Sequence, residues 1–558
     1  MKIKLHLVGY YIIYVMSILA VYLSQTQYTG LAIMGFGVAW FGRVYTEHLE
    51  DKNTDITLQT HWKHYVGGIS LLIFGGISDA IPFLGMLTSF AFVYWLFFWT
   101  QKSKKNVETE RGTRVVDLTK KVIKPEKDVI HFGAAEYPRE IEGYHLMIAG
   151  APGAGKSVAF GDILDVARHR KERAVVYDTT GELIERYYRK DKDAILNPFD
   201  ERHSFWTPFH DAKTALEIRS FSSSIIPFNP HQDPFWTNAP RGFISTALET
   251  TDNMRSFNYL LFNSDEKMLL AALKAAGKLA AAGSDKTFLN IRSQLSSIAD
   301  ALTFLHDEPD KPEFSLKDWI RKEDDSWLFI SSKESYLELL TPLISCWLDI
   351  LVKANLDLKP DRNRKIWYLI DEFSSLQRME SVQAAMARGR KYGVAMVLSI
   401  QDINQIEEKY GVAGAKSIIS QSSSKLFLRL NDPSTAEWAS KIIGERDIKR
   451  KTESESSGKN PSTSVSDSFD KQNTVLPSEI LNLKDMTAFF RVPGDIVYKI
   501  KYTFKERKTF EKGFIHRELK PMTYNVDDEV DKTEETDVDK DKKLEKPKKQ
   551  INSSIPDF

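Results

Sequence analysis

The sequence predicts an α/β fold in which a parallel sheet is covered by helices on both faces, carries an all-helical insertion and follows a transmembrane region. Three observations predict it. Short apolar runs rich in β-branched residues alternate with stretches of helical period, which is typical of a doubly covered parallel sheet. Between about residues 209 and 312 this alternation stops, and the sequence becomes rich in Ala and Leu with a helical period. The first hundred residues contain two long stretches that are almost free of charge.

The N-terminal region, residues 1–101, is predicted to cross the membrane. No Lys, Arg, Asp or Glu occurs between Leu5 and Gly42, and Asp79 is the only one between Tyr65 and Thr100. One helical span needs about 20 apolar residues, and each stretch has nearly twice that length. We therefore expect two helical hairpins and between two and four spans. A signal peptide at the start, or a buried core, is the alternative interpretation.

The basic residues that flank these stretches predict the orientation. With four spans, Lys and Arg fall before, between and after the hairpins, so all lie on the side that the positive-inside rule identifies as the cytoplasm. With two spans, the basic residues between the stretches would lie outside. Both topologies place everything after Thr100 in the cytoplasm.

Composition excludes several classes of protein. Lys plus Arg equals Asp plus Glu, at 76 each, so the surface is not uniformly basic like that of a histone, although a local basic lining is compatible with this balance. The one cysteine, Cys346, excludes an intramolecular disulfide framework, a cysteine zinc finger and a cysteine-ligated iron–sulfur cluster. With 42% hydrophobic and 27% charged residues, most of the chain can form a core.

Six apolar runs are the predicted strands of the sheet. They are His145–Gly150, Ala174–Asp178, Ser326–Ser331, Ile366–Asp371, Ala395–Gln401 and Lys425–Leu430. The predicted segments after the membrane region are a basic juxtamembrane linker at 102–127, the α/β domain at 128–208 and 313–515, the all-α domain at 209–312, a Ser-rich flexible insert at 449–473 and a disordered charged tail at 516–558.

One predicted strand runs directly into a complete phosphate-binding loop. The residues that match G-x-x-x-x-G-K-[ST] are Gly150, Ala151, Pro152, Gly153, Ala154, Gly155, Lys156 and Ser157. The glycines let backbone N–H groups surround a β-phosphate, the lysine neutralises the β/γ oxygens and the serine supplies an oxygen to Mg²⁺. The helix that follows presents its positive N-terminus to the same anion. We therefore predict a nucleotide site with Ser157 as a metal ligand.

A second predicted strand, Ile366–Asp371, ends in the two adjacent carboxylates of Asp371 and Glu372. Asp371 is predicted to hold the water shell of Mg²⁺, and Glu372 to polarise the attacking water. Adjacent side chains at a strand end diverge, so both roles fit one edge of the sheet. Strands often end in acidic residues, so this acidic pair indicates a nucleotide site only in combination with the phosphate-binding loop upstream.

Several blocks around these motifs resemble the type IV coupling proteins, the TraD/TraG family, with an F-type TraD-like character. The blocks are His145–Ser157, Val175–Asp178 with Gly181-Glu182, Ile195–Asp200 with Trp206 and Pro208, Ala387–Gly393, Gln401–Gln405 with Tyr410-Gly411, and Asn431–Pro433 with Thr435–Glu437. They occur in the order typical of the family and cover roughly residues 100–515. Thr179-Thr180 departs from the family pattern, where many members carry Pro-Lys.

The resemblance implies a RecA-like P-loop NTPase domain with an inserted all-α domain. It implies a homo-hexameric ATPase in the bacterial inner membrane, multi-pass, with the ATPase domain and C-terminus cytoplasmic. Such a protein uses ATP and Mg²⁺ to move relaxase-bound single-stranded DNA into a type IV secretion channel. The resemblance also implies that Arg390 acts in trans at a neighbour's nucleotide, whereas ordinary surface ion pairs of Arg388 and Arg390 are the alternative. Gln401 ends a predicted strand at the nucleotide edge, so we expect it to report the γ-phosphate state.

Other functions stay open at this point. The same fold can serve as a coupling ATPase for secreted protein effectors, or as a membrane docking receptor whose nucleotide site only drives assembly. A septum-type translocase of double-stranded DNA is disfavoured by the helical insertion and by the Gln401–Gly411 block. Residues 237–310 carry seven Lys/Arg and nine Asp/Glu, so DNA affinity would depend on a local channel lining and on salt.

The C-terminal tail has two blocks of opposite charge. Residues 527–539 carry eight acidic residues and one lysine, and residues 540–549 carry six lysines and two acidic residues. The chain then ends in Ile555-Pro556-Asp557-Phe558. A charged tether with an aromatic terminus fits capture by a pocket on a partner, and the resemblance implies a relaxosome accessory protein as that partner. A merely solvating tail is the alternative.

Overall fold

The computed structural model describes residues 107–229, 232–456, 462–503, 505–522 and 524. The predicted membrane region at 1–101 and the tail from residue 525 onward lie outside these residues. Two compact units are present: one contains residues 107–110 and the described part of 447–471, and the other contains residues 111–446 and those from 472 onward.

The strands form three sheets. They are β1 (Val107–Gly112), β2 (Arg114–Asp117), β3 (Ile130–Phe132), β4 (Ala135–Tyr137), β5 (Leu146–Ala149), β6 (Arg173–Asp178), β7 (Ala194–Leu196), β8 (Trp327–Ser331), β9 (Ile366–Ile370), β10 (Val394–Ile400), β11 (Ser424–Phe427), β12 (Glu445–Ser456), β13 (Ser462–Asn473), β14 (Thr487–Arg491) and β15 (Ile496–Lys501). The large sheet has ten strands in the order β2-β15-β14-β11-β5-β10-β9-β6-β8-β7, while β1-β12-β13 and β3-β4 form small sheets.

The helices of the larger unit connect the strands and form the insertion. They are α1 (Lys156–His169), α2 (Glu182–Tyr187), α3 (Pro208–Asp211), α4 (Ala215–Ile225), α5 (Pro234–Thr250), α6 (Met254–Asn258), α7 (Glu266–Ala275), α8 (Asp285–Thr303), α9 (Leu316–Arg321), α10 (Glu334–Leu356), α11 (Glu380–Arg388), α12 (Ile403–Gln421), α13 (Pro433–Ile443) and α14 (Pro477–Leu481). Between β7 and β8 the described residues contain helices and connecting loops but no strand.

Seven neighbouring strands of the large sheet, from β11 to β7, are mutually parallel. Ala149 at the end of β5 is in register with Ile400 at the end of β10 and with Phe427 at the end of β11. Leu398 of β10 pairs with Ile370, the last residue of β9. The carboxyl ends of these strands therefore meet at one edge, which is where ligands bind in open α/β sheets.

The core lies on both faces of this sheet because side chains alternate along each strand. On β6, Val175 and Tyr177 face a core shared with α10 and the helical insertion, whereas Ala174 and Val176 face the core against α1. All of these residues are buried. Two-sided burial explains why these strands have near-continuous apolar sequences.

The segments predicted as a juxtamembrane linker and as a flexible insert both contain strands. The predicted linker at 102–127 includes β1 and also β2, which pairs in parallel with β15 at the edge of the large sheet. The predicted flexible insert at 449–473 is largely covered by β12 and β13. The sequence did not predict these strands, because a polar sequence shows no periodicity that separates an exposed strand from a loop.

The predicted disordered tail begins too early. Residues 505–522 and Tyr524, which we call the strap, run along the larger unit in an extended path. Its backbone N–H groups donate hydrogen bonds to backbone carbonyls, from Phe510 to Glu185, from Arg517 to Phe199 and from Met522 to Thr303. The prediction was therefore wrong for residues 516–522, whose pairing partners are distant in sequence and cannot be inferred locally.

Among the described residues, one helix is long and apolar enough to cross a membrane by length and composition alone. It is α10, and 67% of its most apolar window is buried inside the protein. The predicted membrane helices lie outside the described residues.

Candidate nucleotide-binding site

The predicted phosphate-binding loop occupies the turn between β5 and α1. Gly150 donates its N–H to the carbonyl of Ile400 at 3.1 Å, and Ala151 donates to the carbonyl of Arg429 at 2.8 Å. The loop is thus attached to the chain that leaves β10 on one side and β11 on the other. Pro152 and Gly153 at its tip are exposed.

Two glycines of the loop have no room for a side chain. A Cβ at Gly150 would lie 2.9 Å from Cβ of Leu428. This distance is shorter than a van der Waals contact, and the close packing around it leaves little room for the atoms to move apart. Gly155 has φ +118°, a conformation that L-residues rarely adopt, and a Cβ there would lie 3.2 Å from Sδ of Met486. The loop geometry therefore explains why these two positions of the motif are glycine.

Lys156 and Asp371 face each other across the carboxyl edge of the sheet. Lys156 Nζ donates to the carbonyl of Gly150 at 3.0 Å. Burial lowers the pKa of Lys156, while the charges of Glu372 and Asp371 oppose this effect. Burial raises the pKa of Asp371 to about 6, with Lys156 acting in the opposite direction. The buried Asp371 Oδ1 has no hydrogen-bond partner in the described chain.

That unpartnered oxygen fits a metal site. Mg²⁺ prefers carboxylate and hydroxyl oxygens and retains several waters, so it can be held by one carboxylate, one serine and phosphate oxygens. Asp371 offers a carboxylate oxygen and Ser157 a hydroxyl oxygen at this edge. The predicted donors for Mg²⁺ therefore have the chemistry and the vacant hydrogen-bonding capacity that the ion requires.

Glu372 is held in place by two side chains. Gln401 Nε2 donates to Glu372 Oε2 at 2.6 Å, and the Ser374 hydroxyl donates to Oε1. Gln401 follows β10 directly, whereas Glu372 lies just beyond β9, and these strands are neighbours. The structure thus brings together Glu372 and Gln401, which the sequence assigned to separate roles.

Arg390 does not lie at this site within its own chain. It belongs to a 3-10 turn, Gly389–Tyr392, that precedes Val394 at the amino end of β10, whereas Gln401 follows the carboxyl end. A strand of seven residues separates the two ends by about 20 Å. Arg390 therefore cannot reach the nucleotide of its own subunit.

Two residues that sequence reasoning missed also shape the site. Asp178 at the end of β6 is buried and accepts N–H bonds from Thr180, Gly181, Leu183 and Ile184, which holds the start of α2. Its position after a parallel strand, like that of Asp371, was an available signal. The Thr180 hydroxyl also bonds Asp178 at 3.1 Å, which gives the departure at Thr179-Thr180 a local structural role.

The second missed residue is Lys409 on α12. Its ammonium donates to the carbonyls of Ser374 and Leu376, in the turn that follows Glu372. No sequence motif marks this lysine, because the contact depends on how α12 packs against the turn after β9.

Residues 129–503 match the family described as the type IV secretion-system coupling protein DNA-binding domain. The chain belongs to the type IV coupling protein family. It is 30% identical over 470 residues to the coupling protein TraD of Escherichia coli strain K12, covering 80% of this chain and 66% of that relative. The chain thus spans slightly less than two thirds of the length of this relative.

Solved structures show the same architecture. The bacterial conjugative coupling protein TrwBΔN70 aligns with a TM-score of 0.66 and 27% identity, covering 73% of this chain and 97% of that structure. The plasmid coupling protein TrwB in complex with ADP and Mg²⁺ aligns with a TM-score of 0.65 and 27% identity, over 73% of this chain and 98% of that one. This coupling protein therefore has the RecA-like nucleotide-binding domain and all-α domain that the sequence predicted.

Proposed function

We propose that this protein is the coupling ATPase of a type IV secretion or conjugation system. It uses ATP hydrolysis to recruit relaxase-bound single-stranded DNA and move it into the secretion channel. The observation that carries the proposal is the phosphate-binding loop opposed by two adjacent carboxylates, the second of which is held by Gln401 at 2.6 Å. Its similarity to TraD, and to TrwB structures that contain ADP with Mg²⁺ or an ATP analogue, supports the same conclusion.

In this proposal, each residue of the site has a separate role in ATP hydrolysis. The backbone of the loop and Lys156 bind the phosphates, and Ser157 and Asp371 hold Mg²⁺. When bound, Mg²⁺ neutralises charge that develops on the phosphate oxygens. Glu372 orients and polarises the attacking water, and its bonds from Gln401 and Ser374 fix the direction in which its carboxylate points.

Arg390 is proposed to act on the nucleotide of a neighbouring subunit. Its place at the amino end of β10 excludes a role in its own site, and its side chain is exposed. In a ring of like subunits, the face with Arg390 can meet the face with the open phosphate-binding loop. The guanidinium would then stabilise the negative charge of the phosphoryl transition state. This arrangement requires a homo-oligomer, and the family resemblance suggests a hexamer.

The location and partners follow from the same proposal. The apolar stretches within residues 1–101 anchor the protein in the bacterial inner membrane as a multi-pass region, with the nucleotide site and C-terminus in the cytoplasm. The secretion channel, the relaxase with its DNA and a relaxosome accessory protein that captures the C-terminal tail are the proposed partners. The charge blocks at 527–549 support a role for the tail in docking.

The deciding experiment measures ATP hydrolysis by the purified full-length chain with and without single-stranded DNA at low salt. We expect stimulation by the DNA, and a loss of hydrolysis in the variant Lys156→Ala, because phosphate neutralisation is removed. Lys120→Ala, in the exposed segment after β2, is a matched control that should retain the parental rate.

Each alternative function gives a different outcome in this experiment. Hydrolysis that single-stranded DNA leaves unchanged at low salt, but that a secreted protein substrate stimulates, would replace the proposal with protein-effector secretion. Nucleotide binding without turnover under every condition would indicate a docking receptor and contradict the ATPase assignment.

A further inference from the structure

The side chain of Arg390 lies flat against one short segment of its own chain. The guanidinium carbon is 3.7 Å from the ring centroid of Tyr144. A Cβ on Gly143 would lie 3.3 Å from Arg390 Cγ and 3.9 Å from both Cδ and Nε. The aliphatic part of the arginine therefore crosses Gly143, and the charged end stacks on Tyr144.

This stacking leaves the hydrogen-bonding edge of Arg390 free. Within the part of the chain that the structure describes, the guanidinium makes no ion pair and no hydrogen bond. Arg390 is exposed, and Tyr144 is 39% exposed. A cation–π contact holds the flat face of a guanidinium without using its N–H donors. All five donors of Arg390 thus stay available for an external anion.

The backbone beneath Tyr144 is firmly anchored. Its carbonyl accepts the N–H of Ser423 at 2.9 Å. The next residue, His145, has φ +64°. The buried ring of His145 accepts the N–H of Met396 on Nδ1 at 3.1 Å and donates from Nε2 to the carbonyl of Met386 at 3.1 Å. These bonds join Tyr144 to β10 and α11.

The turn that carries Arg390 is anchored as well. Asn355 donates to the carbonyl of Tyr392 at 3.0 Å, and Asp361 donates its N–H to the carbonyl of Lys391 at 2.9 Å. A Cβ at Gly393, where φ is +84°, would lie 2.6 Å from the carbonyl oxygen of Arg364. The ring and the arginine therefore project from two fixed segments at the amino ends of β5 and β10.

We infer that Tyr144 is a positioning residue for Arg390, holding its guanidinium in the orientation in which it meets a phosphate of the neighbouring subunit's nucleotide. The inference rests on the trans role proposed above. A free arginine loses much rotamer freedom when it binds, and a guanidinium already held on a ring loses less. Because the stack occupies only the face of the guanidinium, phosphate can bind its edge while the stack persists.

The test uses mixed oligomers of the full-length chain, formed from two differently tagged variants. Arg390→Ala subunits supply an intact nucleotide site, and Lys156→Ala subunits supply an intact Arg390. If Arg390 acts in trans, mixing restores ATP hydrolysis that neither variant shows alone. Absence of rescue in oligomers shown to contain both tags would overturn the trans role and this inference with it.

Tyr144→Ala is then placed in one partner at a time. In the Lys156→Ala subunit, which donates the arginine, we expect it to lower the rescued turnover number about 3- to 10-fold with unchanged KM for ATP. In the Arg390→Ala subunit we expect no effect. A general loss of stability would lower activity in both placements, so this asymmetry separates positioning from a structural role.

Two further variants in the arginine-donating subunit complete the test. Tyr144→Phe keeps the ring and should retain the full rescued rate. Arg388→Ala removes an exposed arginine two residues away that is not stacked on Tyr144, and it should also leave the rate unchanged. Equal loss from Tyr144→Ala in both placements, or full rescue with Tyr144→Ala in the arginine donor, would overturn the positioning role while leaving the trans arginine intact.

Discussion

At the residue scale, the site is organised around the adjacent pair Asp371 and Glu372, whose environments differ. Asp371 lies beside Lys156 with its Oδ1 buried, and burial raises its pKa to about 6. Glu372 accepts hydrogen bonds from Gln401 and Ser374, which fix the orientation of its carboxylate. The two carboxylates therefore suit different proposed tasks: Asp371 has an unpartnered oxygen that a cation could bind, and Glu372 has an orientation fixed by two neighbours.

Replacing the proposed general base separates binding from turnover. We expect Glu372→Gln to bind ATP with near-parental affinity and to lose hydrolysis by about 10²- to 10⁴-fold, because the amide cannot accept a proton from water. Binding of a fluorescent ATP analogue and steady-state phosphate release measure the two properties. A variant that hydrolyses ATP at the parental rate would refute the assignment.

Because the pKa of Asp371 is raised, ionisation of this residue destabilises the folded protein when no nucleotide is bound. Because the folded pKa lies above the unfolded value, the contribution of this group to stability is largest at low pH and is lost as the pH rises through about 6. Asp371→Asn should therefore raise the free energy of unfolding at pH 8 by roughly 1 to 3 kcal/mol, and by less at pH 5. Urea denaturation without Mg²⁺ at both pH values checks this, and a larger gain at pH 5 would contradict it.

At the element scale, the strap joins parts of the larger unit that are distant in sequence. Arg507 bonds Asp162 at 2.8 Å and Asp165 at 3.0 Å on α1, the helix that follows the phosphate-binding loop. Further along, Arg517 pairs with Glu308 at 2.9 Å, after the last long helix of the insertion. The strap thus connects the nucleotide-binding domain to the all-α domain by a route independent of their covalent junctions.

The contact between Arg507 and α1 can be tested by a substitution at Gly161. A Cβ at Gly161 would lie 2.5 Å from Cζ of Arg507, so Gly161→Ala should push the guanidinium away from Asp162 and destabilise the protein by about 1 to 2 kcal/mol. In an Arg507→Ala background the clash is absent, and the same substitution should be stabilising by up to about 1 kcal/mol, because alanine favours helix over glycine. Thermal or urea unfolding of the double-mutant cycle measures the coupling, and additive effects would contradict the proposed contact.

At the scale of the whole molecule, the proposed nucleotide site and the tail proposed to dock a partner belong to different parts of the chain. The nucleotide site lies at the carboxyl edge of the large sheet, whereas the tail proposed to dock a partner follows the strap. The net charge of zero, with 76 residues of each sign, means that long-range attraction to DNA depends on local patches and on salt.

This separation predicts the effect of shortening the tail. Deleting Ser553–Phe558 should lower the efficiency of DNA transfer and leave ATP hydrolysis by the purified protein unchanged, because no proposed nucleotide contact is removed. Mating assays and phosphate release measure the two properties, with Lys120→Ala again as the control. Unchanged transfer would exclude a docking role for the terminus.

Features that depend on a local pattern could be predicted from the sequence. A phosphate-binding loop needs glycines at set spacing before Lys156 and Ser157, and a buried strand that ends in Asp371-Glu372 is visible as an apolar run followed by acids. Because both faces of the central strands are buried, these strands could be recognised in the sequence as continuous apolar segments. The all-helical insertion was likewise visible from its period.

Contacts between groups that are distant in sequence could not be predicted, because they depend on how the strands and helices pack. Gln401 contacts Glu372 because β9 and β10 are neighbours, and Arg390 is excluded from its own site because it lies at the amino end of β10. Its stacking on Tyr144 depends on β5 lying beside β10. Polar edge strands such as β2 and the extended strap gain their structure from long-range pairing, for which the local sequence carries no periodic signal.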